Sequence, residues 1–105
     1  MKRSVVWTEK ALNDLKEIFN YWNNRNKSKN YSRKLNSLFN QALQLIAVEP
    51  LIGLVTDMEG VRIKLVRNYW IFYIEQGHKI FVLQIMNTYQ NPDSFLRSLK
   101  IKNIE

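Results

Sequence analysis

Basic side chains on one segment of this chain are followed by aromatic side chains on the next, and a surface that combines the two could act on RNA. In VRIKLVR (61–67), Arg62 and Lys64 lie on the polar side of a predicted strand, and Arg67 follows them. The next segment, NYWIFYIE, carries the aromatic residues Tyr69, Trp70 and Tyr73. Phosphates need positive charge and unstacked bases need a flat surface, so cations beside aromatic rings suit RNA.

The stretch NTYQNP (87–92) follows the last predicted strand and adds a group that can exchange a proton. Tyr89 and Gln90 can both hydrogen-bond, and Tyr89 carries a phenol. Metal-free RNA cleavage requires a base, a cation for the developing phosphorane charge, and an acid for the leaving oxygen. Lysine, arginine and tyrosine can fill these roles in principle. An ordinary solvated sheet face with core aromatics explains the same spacing, and spacing alone favours that simpler interpretation.

Positive charge is concentrated in one part of the sequence. The chain has 16 lysines and arginines against 9 acidic residues, and its net charge is +7. No acidic residue occurs from Ile18 to Val48. Five cations fall close together within that stretch: Arg25, Lys27, Lys29, Arg33 and Lys34. A solvated surface normally mixes charges of both signs, so this cluster favours a surface that meets a polyanion or an acidic protein. Excess lysine that only keeps the chain soluble is the alternative.

Several kinds of chemistry are disfavoured by what the sequence lacks. It contains no cysteine and one histidine, His78, without a carboxylate cluster, so we expect no metal site, disulfide or thiolate chemistry. No Gly-rich phosphate loop, G-x-S-x-G or H-E-x-x-H motif occurs, and we expect no cofactor. No apolar segment reaches the length of a membrane span, and MKRSVVWTEK lacks the apolar core of a signal peptide. We therefore expect a cytoplasmic protein that does not contact the membrane.

The hydrophobic periodicity predicts one α+β domain over residues 1–105. The predicted elements are a short strand over 4–7, helices over 9–24 and 29–48, and strands over 61–67, 68–75 and 79–86. Thr8 is a predicted N-cap of the first helix, and the short Asn-rich connection predicts an antiparallel helical hairpin. The buried stripe of the second helix is predicted to be Tyr31, Leu35, Leu38, Phe39, Ala42, Leu45 and Ile46. The hairpin should cover one face of a three-stranded antiparallel meander, and 93–105 should form a tail or short helix.

Two long stretches resemble one known family. VVWTEKALNDLKEIFNYW is similar to an opening strand followed by a "dL.eI..yi" helix. GVRIKLVRNYWIFYIEQGHKIFVLQIMNTYQNP is similar to an aromatic meander, "Y.i.Y.i....i.Il.i", that ends in an R-Q-[ND]-P signature. In this order and spacing, over about residues 4–95, the motifs resemble the RelE/ParE superfamily of toxins from bacterial type II toxin–antitoxin systems.

The resemblance implies a small toxin that a cognate antitoxin holds inactive in a hetero-oligomer. An acidic C-terminal segment of the antitoxin would wrap the basic toxin. Two activities occur in the superfamily. ParE-like members inhibit DNA gyrase, and RelE-like members cleave mRNA in the ribosomal A site without a metal.

The resemblance also assigns roles to particular residues. Arg62 and Lys64 match basic residues of RelE-like nucleases, and Tyr89 is the candidate acid or base of that reaction. However, Trp70 and Tyr89 stand where arginines are expected, and neither side chain supplies fixed positive charge. We therefore favour a ParE-like gyrase inhibitor. The alternatives are a ribosome-dependent endoribonuclease and a non-toxic binding module. The predicted surface for the target or antitoxin comprises Arg25, Lys27, Lys29, Arg33, Lys34, Arg67 and Gln90.

Overall fold

Two helices pack against one face of a five-stranded sheet in the computed structural model, which describes residues 2–89. The elements are β1 (Ser4–Trp7), α1 (Glu9–Asn26), α2 (Asn30–Val48), a 3₁₀ turn (Pro50–Ile52), β2 (Leu54–Val55), β3 (Val61–Val66), β4 (Tyr69–Gln76) and β5 (Lys79–Asn87). The strand order is β1-β5-β4-β3-β2. This confirms the predicted α+β fold with its N-terminal strand, helical hairpin and meander. Gln90 and the predicted tail over 93–105 lie outside the described residues.

Thr8 joins β1 to α1 by using its hydroxyl in both directions. The Ala11 N–H donates to Thr8 Oγ1 at 3.2 Å, which caps the helix, as predicted. The same hydroxyl donates to the carbonyl oxygen of Val82 at 2.8 Å. Because β1 runs parallel to β5 with Trp7 opposite Val82, Thr8 stands where the pairing of these two strands stops.

The helical hairpin turns within three residues. Helix α1 ends at Asn26, two residues beyond the predicted end, and Lys27 takes the left-handed conformation with φ 53°. Buried Ser32 of α2 ties the two helices together, because its hydroxyl donates to the Phe19 carbonyl at 3.2 Å and contacts Asn23 Oδ1 at 2.5 Å.

The meander has tight turns where the sequence predicted them. Asn68 follows Arg67, which has φ 57° in the β3–β4 turn, and Gly77 has φ 63° in the β4–β5 turn. No helix or strand was predicted between residues 48 and 61, but this stretch holds the 3₁₀ turn and β2. Strand β2 pairs antiparallel with β3. It has only two residues, and an alternating pattern cannot be recognised in so short a strand.

Apolar residues line both faces of the sheet. The main core lies between the helices and the face that carries Ile71, Tyr73 and Val82. A second cluster lies on the opposite face and contains Val61, Ile63 and Phe72.

The predicted buried stripe of α2 is correct at Leu35, Phe39 and Ile46 but wrong at Leu45, which is 42% exposed. Leu43 and Ala47 are buried instead, so the buried face of α2 is rotated relative to the predicted one.

Candidate functional site

Arg62 and Tyr73 together hold the segment that follows α2, and we call this pair the loop clamp. One guanidinium nitrogen of Arg62, Nη1, donates to the carbonyl of Gly53 at 2.8 Å and to that of Leu51 at 3.3 Å. The Tyr73 hydroxyl donates to the carbonyl of Pro50 at 2.7 Å and accepts from the Gly53 N–H at 2.9 Å. Arg62 and Tyr73 are direct partners across β3 and β4, so both side chains lie on the same sheet face.

Gly53 is the residue that allows this close approach. A Cβ atom there would lie 2.6 Å from the Tyr73 hydroxyl oxygen and 2.8 Å from the Ile63 carbonyl oxygen. Both distances are far below van der Waals contact, and the backbone oxygen cannot swing away. The segment can therefore dock on Tyr73 only with glycine at this position.

The predicted catalytic residues are distributed over two regions of the sheet. Arg62 and Lys64 lie on the same face of β3, as predicted, but this face is not a polar one, because their partners Tyr73 and Ile71 belong to the main core. Tyr89 lies beyond the other end of the meander: its N–H donates to Asn87 Oδ1 at 2.7 Å, and its side chain is 75% exposed.

The strand register gives the separation between Tyr89 and the cations. Asn87 is opposite Tyr69, and Tyr69 is opposite Val66, so these residues form one row across the sheet. Arg62 lies before that row along β3, whereas Tyr89 lies beyond the row, after the end of β5. With about 3.3 Å per residue and about 4.8 Å between strands, the Cα atoms of Arg62 and Tyr89 are roughly 20 Å apart. The structure therefore does not bring Tyr89 to Arg62, and the catalytic roles stay predictions.

Trp70 lies on the sheet face opposite the two cations. It pairs with Leu65 across β3 and β4 and packs against the second apolar cluster. Its position, where the family resemblance places an arginine, is thus occupied by a side chain that belongs to this apolar face.

An aromatic group supports the tip of the helical hairpin. The Trp22 indole N–H donates to the Tyr69 hydroxyl at 2.8 Å. The Trp22 ring meets Tyr21 and Tyr31 edge-on, with centroids 5.0 and 4.7 Å away. The Arg25 guanidinium lies 6.0 Å from the Trp22 centroid, within cation–π range. Trp22 is therefore fixed from the sheet side and helps to position Arg25.

The basic cluster predicted from the sequence is gathered at this tip. Arg25 lies in the last turn of α1, Lys27 caps that helix, and Lys29 precedes α2. All five cations of the cluster are exposed, and none forms an ion pair with a carboxylate within residues 2–89. Their proposed contact with a target or antitoxin stays a prediction. Arg67 is also exposed but lies in the β3–β4 turn, and Gln90 lies outside the described residues.

A groove between α1 and β5 is a feature that the sequence did not predict. Its volume is about 610 Å³, and its lining residues are Lys10, Asp14, Glu17, Ile18, Tyr21, Tyr69, Gln84, Ile85, Met86 and Asn87. Asp14 bridges its two walls, because one carboxylate oxygen accepts from the Ile85 N–H at 3.0 Å and the other contacts Lys10. The groove exists because β1 stops at Trp7 and leaves the later part of β5 facing α1.

The two buried tyrosines of the sheet are unsuited to acid–base chemistry near neutral pH. Burial raises the pKa of Tyr69 and outweighs the opposing effect of the hydrogen bond from Trp22. Burial likewise raises the pKa of Tyr73, against the smaller opposing effects of the Gly53 hydrogen bond and the Arg62 charge. Both phenols therefore stay protonated and serve as hydrogen-bonding groups.

The free energy of unfolding should decline as the pH rises above about 10, the ordinary tyrosine pKa. Unfolded Tyr73 releases its proton there, while the folded chain retains it because the folded pKa is raised. The folded state then binds more protons than the unfolded state, so stability falls with increasing pH. Urea denaturation at about pH 8 and about pH 11 measures the decline. Tyr73→Phe should decline less steeply than the wild type, and identical slopes would contradict the assignment.

Neither a metal site nor a membrane-spanning helix is found in the described part of the chain. Over residues 2–89, no group of three or more histidine, cysteine, aspartate and glutamate side chains could hold a metal ion. No helix in the same range is long and apolar enough to cross a bilayer.

Comparisons with known proteins agree on one family. The sequence-family model described as the ParE toxin of the type II toxin–antitoxin system, parDE, matches residues 5–92. A solved structure described as a chromosomal ParDE toxin–antitoxin system from P. aeruginosa has a similar fold, with a TM-score of 0.70 and 19% sequence identity. The similarity covers 82% of this chain and 96% of that one. No curated protein sequence matches this chain. Because the family model covers most of the sequence and the fold agrees with it, the chain belongs to the ParE toxin family of type II toxin–antitoxin systems.

Proposed function

We propose that this ParE-family toxin arrests growth by inhibiting DNA gyrase, and that a cognate antitoxin holds it inactive. The observation that carries the proposal is the ParE toxin match over residues 5–92. Gyrase is the target of ParE-like members of the superfamily, and the similar P. aeruginosa structure is of a ParDE toxin–antitoxin system.

The geometry of the predicted catalytic residues supports this choice over RNA cleavage. Arg62, as part of the loop clamp, already donates to the backbone carbonyls of Leu51 and Gly53, so its guanidinium serves the fold. Tyr89 is remote from it, and Trp70 supplies no charge. A fixed cation beside an acid or base is what metal-free phosphoryl chemistry needs. The predicted residues Arg62, Lys64 and Tyr89 do not provide that combination at one place.

The charge of the chain supports an acidic partner. With a net charge of +7, the toxin would be attracted to an antitoxin segment rich in carboxylates. The resulting complex is a cytoplasmic hetero-oligomer that involves no membrane. Antitoxin binding then keeps the toxin from its target.

A supercoiling assay with purified gyrase tests the proposal. The chain should block the conversion of relaxed plasmid to supercoiled plasmid at concentrations similar to that of gyrase. Preincubation with the cognate antitoxin should restore supercoiling. Topoisomerase I, as a matched control on the same plasmid, should be unaffected. Full supercoiling at saturating toxin would exclude gyrase as the target.

Ribosome-dependent mRNA cleavage is the second candidate, since Arg62 and Lys64 do share one sheet face. Primer extension on a translated mRNA tests it directly. Cleavage by the wild type and its loss in the Arg62→Ala, Lys64→Ala, Tyr89→Phe triple variant would favour the nuclease. Cleavage that persists in the triple variant would show that these residues do not carry it.

A further inference from the structure

We propose that the tip of the helical hairpin and the outer face of α2 bind the phosphate backbone of a nucleic-acid duplex without reading its sequence. This binding goes beyond gyrase inhibition and needs neither gyrase nor the antitoxin. It rests on the positions of the cations, on the chemistry of the α2 surface and on where the exposed apolar residues lie.

Three of the five cations at the tip are placed where they cost stability. Lys29, Arg33 and Lys34 lie in or beside the first turn of α2, which has no acidic residue and whose Asn30 N–H is capped by the Ser28 hydroxyl at 3.1 Å. Positive charge at a helix N-terminus opposes the helix dipole. A fold-stabilising role therefore does not explain these residues, whereas attraction to phosphates does.

The outer face of α2 continues this surface without negative charge. Its exposed polar side chains include Arg33, Lys34, Asn36, Ser37, Asn40, Gln41 and Gln44. Cations, amides and hydroxyls are the groups that contact DNA phosphates, and a carboxylate would repel them. From Arg33 to Gln44 this face is about 17 Å long, which is several base pairs along a duplex.

The same tip holds one cation in a defined position. Arg25 lies over the Trp22 ring, and Trp22 is fixed by its hydrogen bond to Tyr69. Tyr21, beside Trp22, is 53% exposed and adds a hydroxyl next to the cations. A preorganised arginine loses less side-chain freedom when it binds a phosphate.

The lack of apolar anchors at the tip favours nucleic acid over an acidic protein. Protein interfaces obtain most of their affinity from buried aromatic and aliphatic anchors. Apart from Leu45 and Val48 near the C-terminal end of α2, the exposed large apolar side chains gather elsewhere, chiefly around the 3₁₀ turn and β2, at Leu51, Leu54, Val55 and Met58. Around the cluster, Tyr21 is the one exposed large side chain with apolar character among residues 2–89. A surface of charges and amides without anchors suits a phosphate backbone.

Fluorescence anisotropy with three labelled ligands tests the proposal on the full-length chain. The ligands are a duplex DNA and a duplex RNA, each of about 20 base pairs, and a polyglutamate peptide of similar length, titrated at salt from about 50 to about 300 mM. If all five cations contact phosphates, the logarithm of the DNA association constant should fall with the logarithm of salt with a slope of about −4 to −5.

Two charge-matched triple variants locate the site. The slope should become shallower by about 3 in the variant Lys29→Gln, Arg33→Gln, Lys34→Gln. Each lost phosphate contact makes the slope less negative by close to one. Lys2→Gln, Lys16→Gln, Lys79→Gln removes the same charge from exposed residues outside the cluster and should leave the slope nearly unchanged.

Each outcome decides the question. Binding to a duplex that depends on the cluster and not on base sequence supports the proposal, and the DNA and RNA ligands identify which duplex is preferred. Polyglutamate binding as tight as duplex binding would overturn it in favour of an acidic protein. Equal effects of the two triple variants would also overturn it, since net charge alone would then explain the binding. Gyrase inhibition is assayed separately, so failure here leaves the proposed function intact.

Discussion

Replacing Gly53 with alanine should lower the free energy of unfolding by about 3–5 kcal/mol, as overpacking and disrupted buried hydrogen bonds combine. The new Cβ would lie 2.6 Å from the Tyr73 hydroxyl oxygen and 2.8 Å from the Ile63 carbonyl oxygen. Gly53 has φ −75°, so the penalty is steric and not a backbone preference. Relief of the contact would pull the loop off Tyr73, whose hydroxyl then loses its bonds to Pro50 and Gly53. Urea denaturation measures the change.

Gly77→Ala is the matched control for this prediction. Gly77 has open space around its Cα but a positive φ of 63°, so alanine there should cost only about 1–2 kcal/mol. Tyr73→Phe combined with Gly53→Ala should cost less than the sum of the two single changes, because the phenylalanine removes the nearest clashing atom. If Gly53→Ala were no more destabilising than Gly77→Ala, the close packing of Gly53 against Tyr73 would be contradicted.

Arg62→Ala should lower the free energy of unfolding by about 1.5–3 kcal/mol, the range for hydrogen bonds made by a charged group. Its guanidinium nitrogen donates to the carbonyls of both Leu51 and Gly53, and alanine leaves these two oxygens without that donor. Arg62→Lys should recover only part of the loss, since an ammonium on a different stem does not reproduce the planar guanidinium geometry. Thermal and urea denaturation of the three proteins give the comparison.

Lys64→Ala is the control for Arg62, because the two cations share a sheet face but Lys64 holds no part of the loop. It should change the free energy of unfolding by no more than about 0.5 kcal/mol. A catalytic role for Arg62 makes the opposite forecast: its loss would abolish an activity while stability stayed near that of the wild type. Unchanged stability of Arg62→Ala would therefore contradict the loop clamp.

Long periodic elements could be predicted from the sequence, whereas short ones could not. Both helices have apolar residues at regular spacing over several turns, and their predicted bounds agree closely with Glu9–Asn26 and Asn30–Val48. The turn at Gly77 follows from the need for a positive φ. Strand β2 has two residues and no pattern, and only its pairing with β3 defines it.

The candidate site could be predicted in part. The alternation of β3 correctly places Arg62 and Lys64 on one face, and the acid-free stretch correctly identifies the exposed cations of the hairpin tip. The contact between Arg62 and the carbonyl of Gly53 depends on how a loop folds back onto the sheet, which no local pattern records. The distance between Arg62 and Tyr89 likewise depends on strand register across three strands. The α1–β5 groove depends on where β1 stops.

The most direct test of gyrase-directed toxicity is the topology of a reporter plasmid in cells after induced expression of this chain, followed together with growth and mRNA 5′ ends. The expected result is growth arrest with plasmid that loses negative supercoils, mRNA ends that do not change, and recovery when the antitoxin is co-expressed. Growth arrest with fully supercoiled plasmid and new mRNA ends within translated frames would contradict gyrase as the target. Unimpaired growth at high expression would contradict toxicity itself.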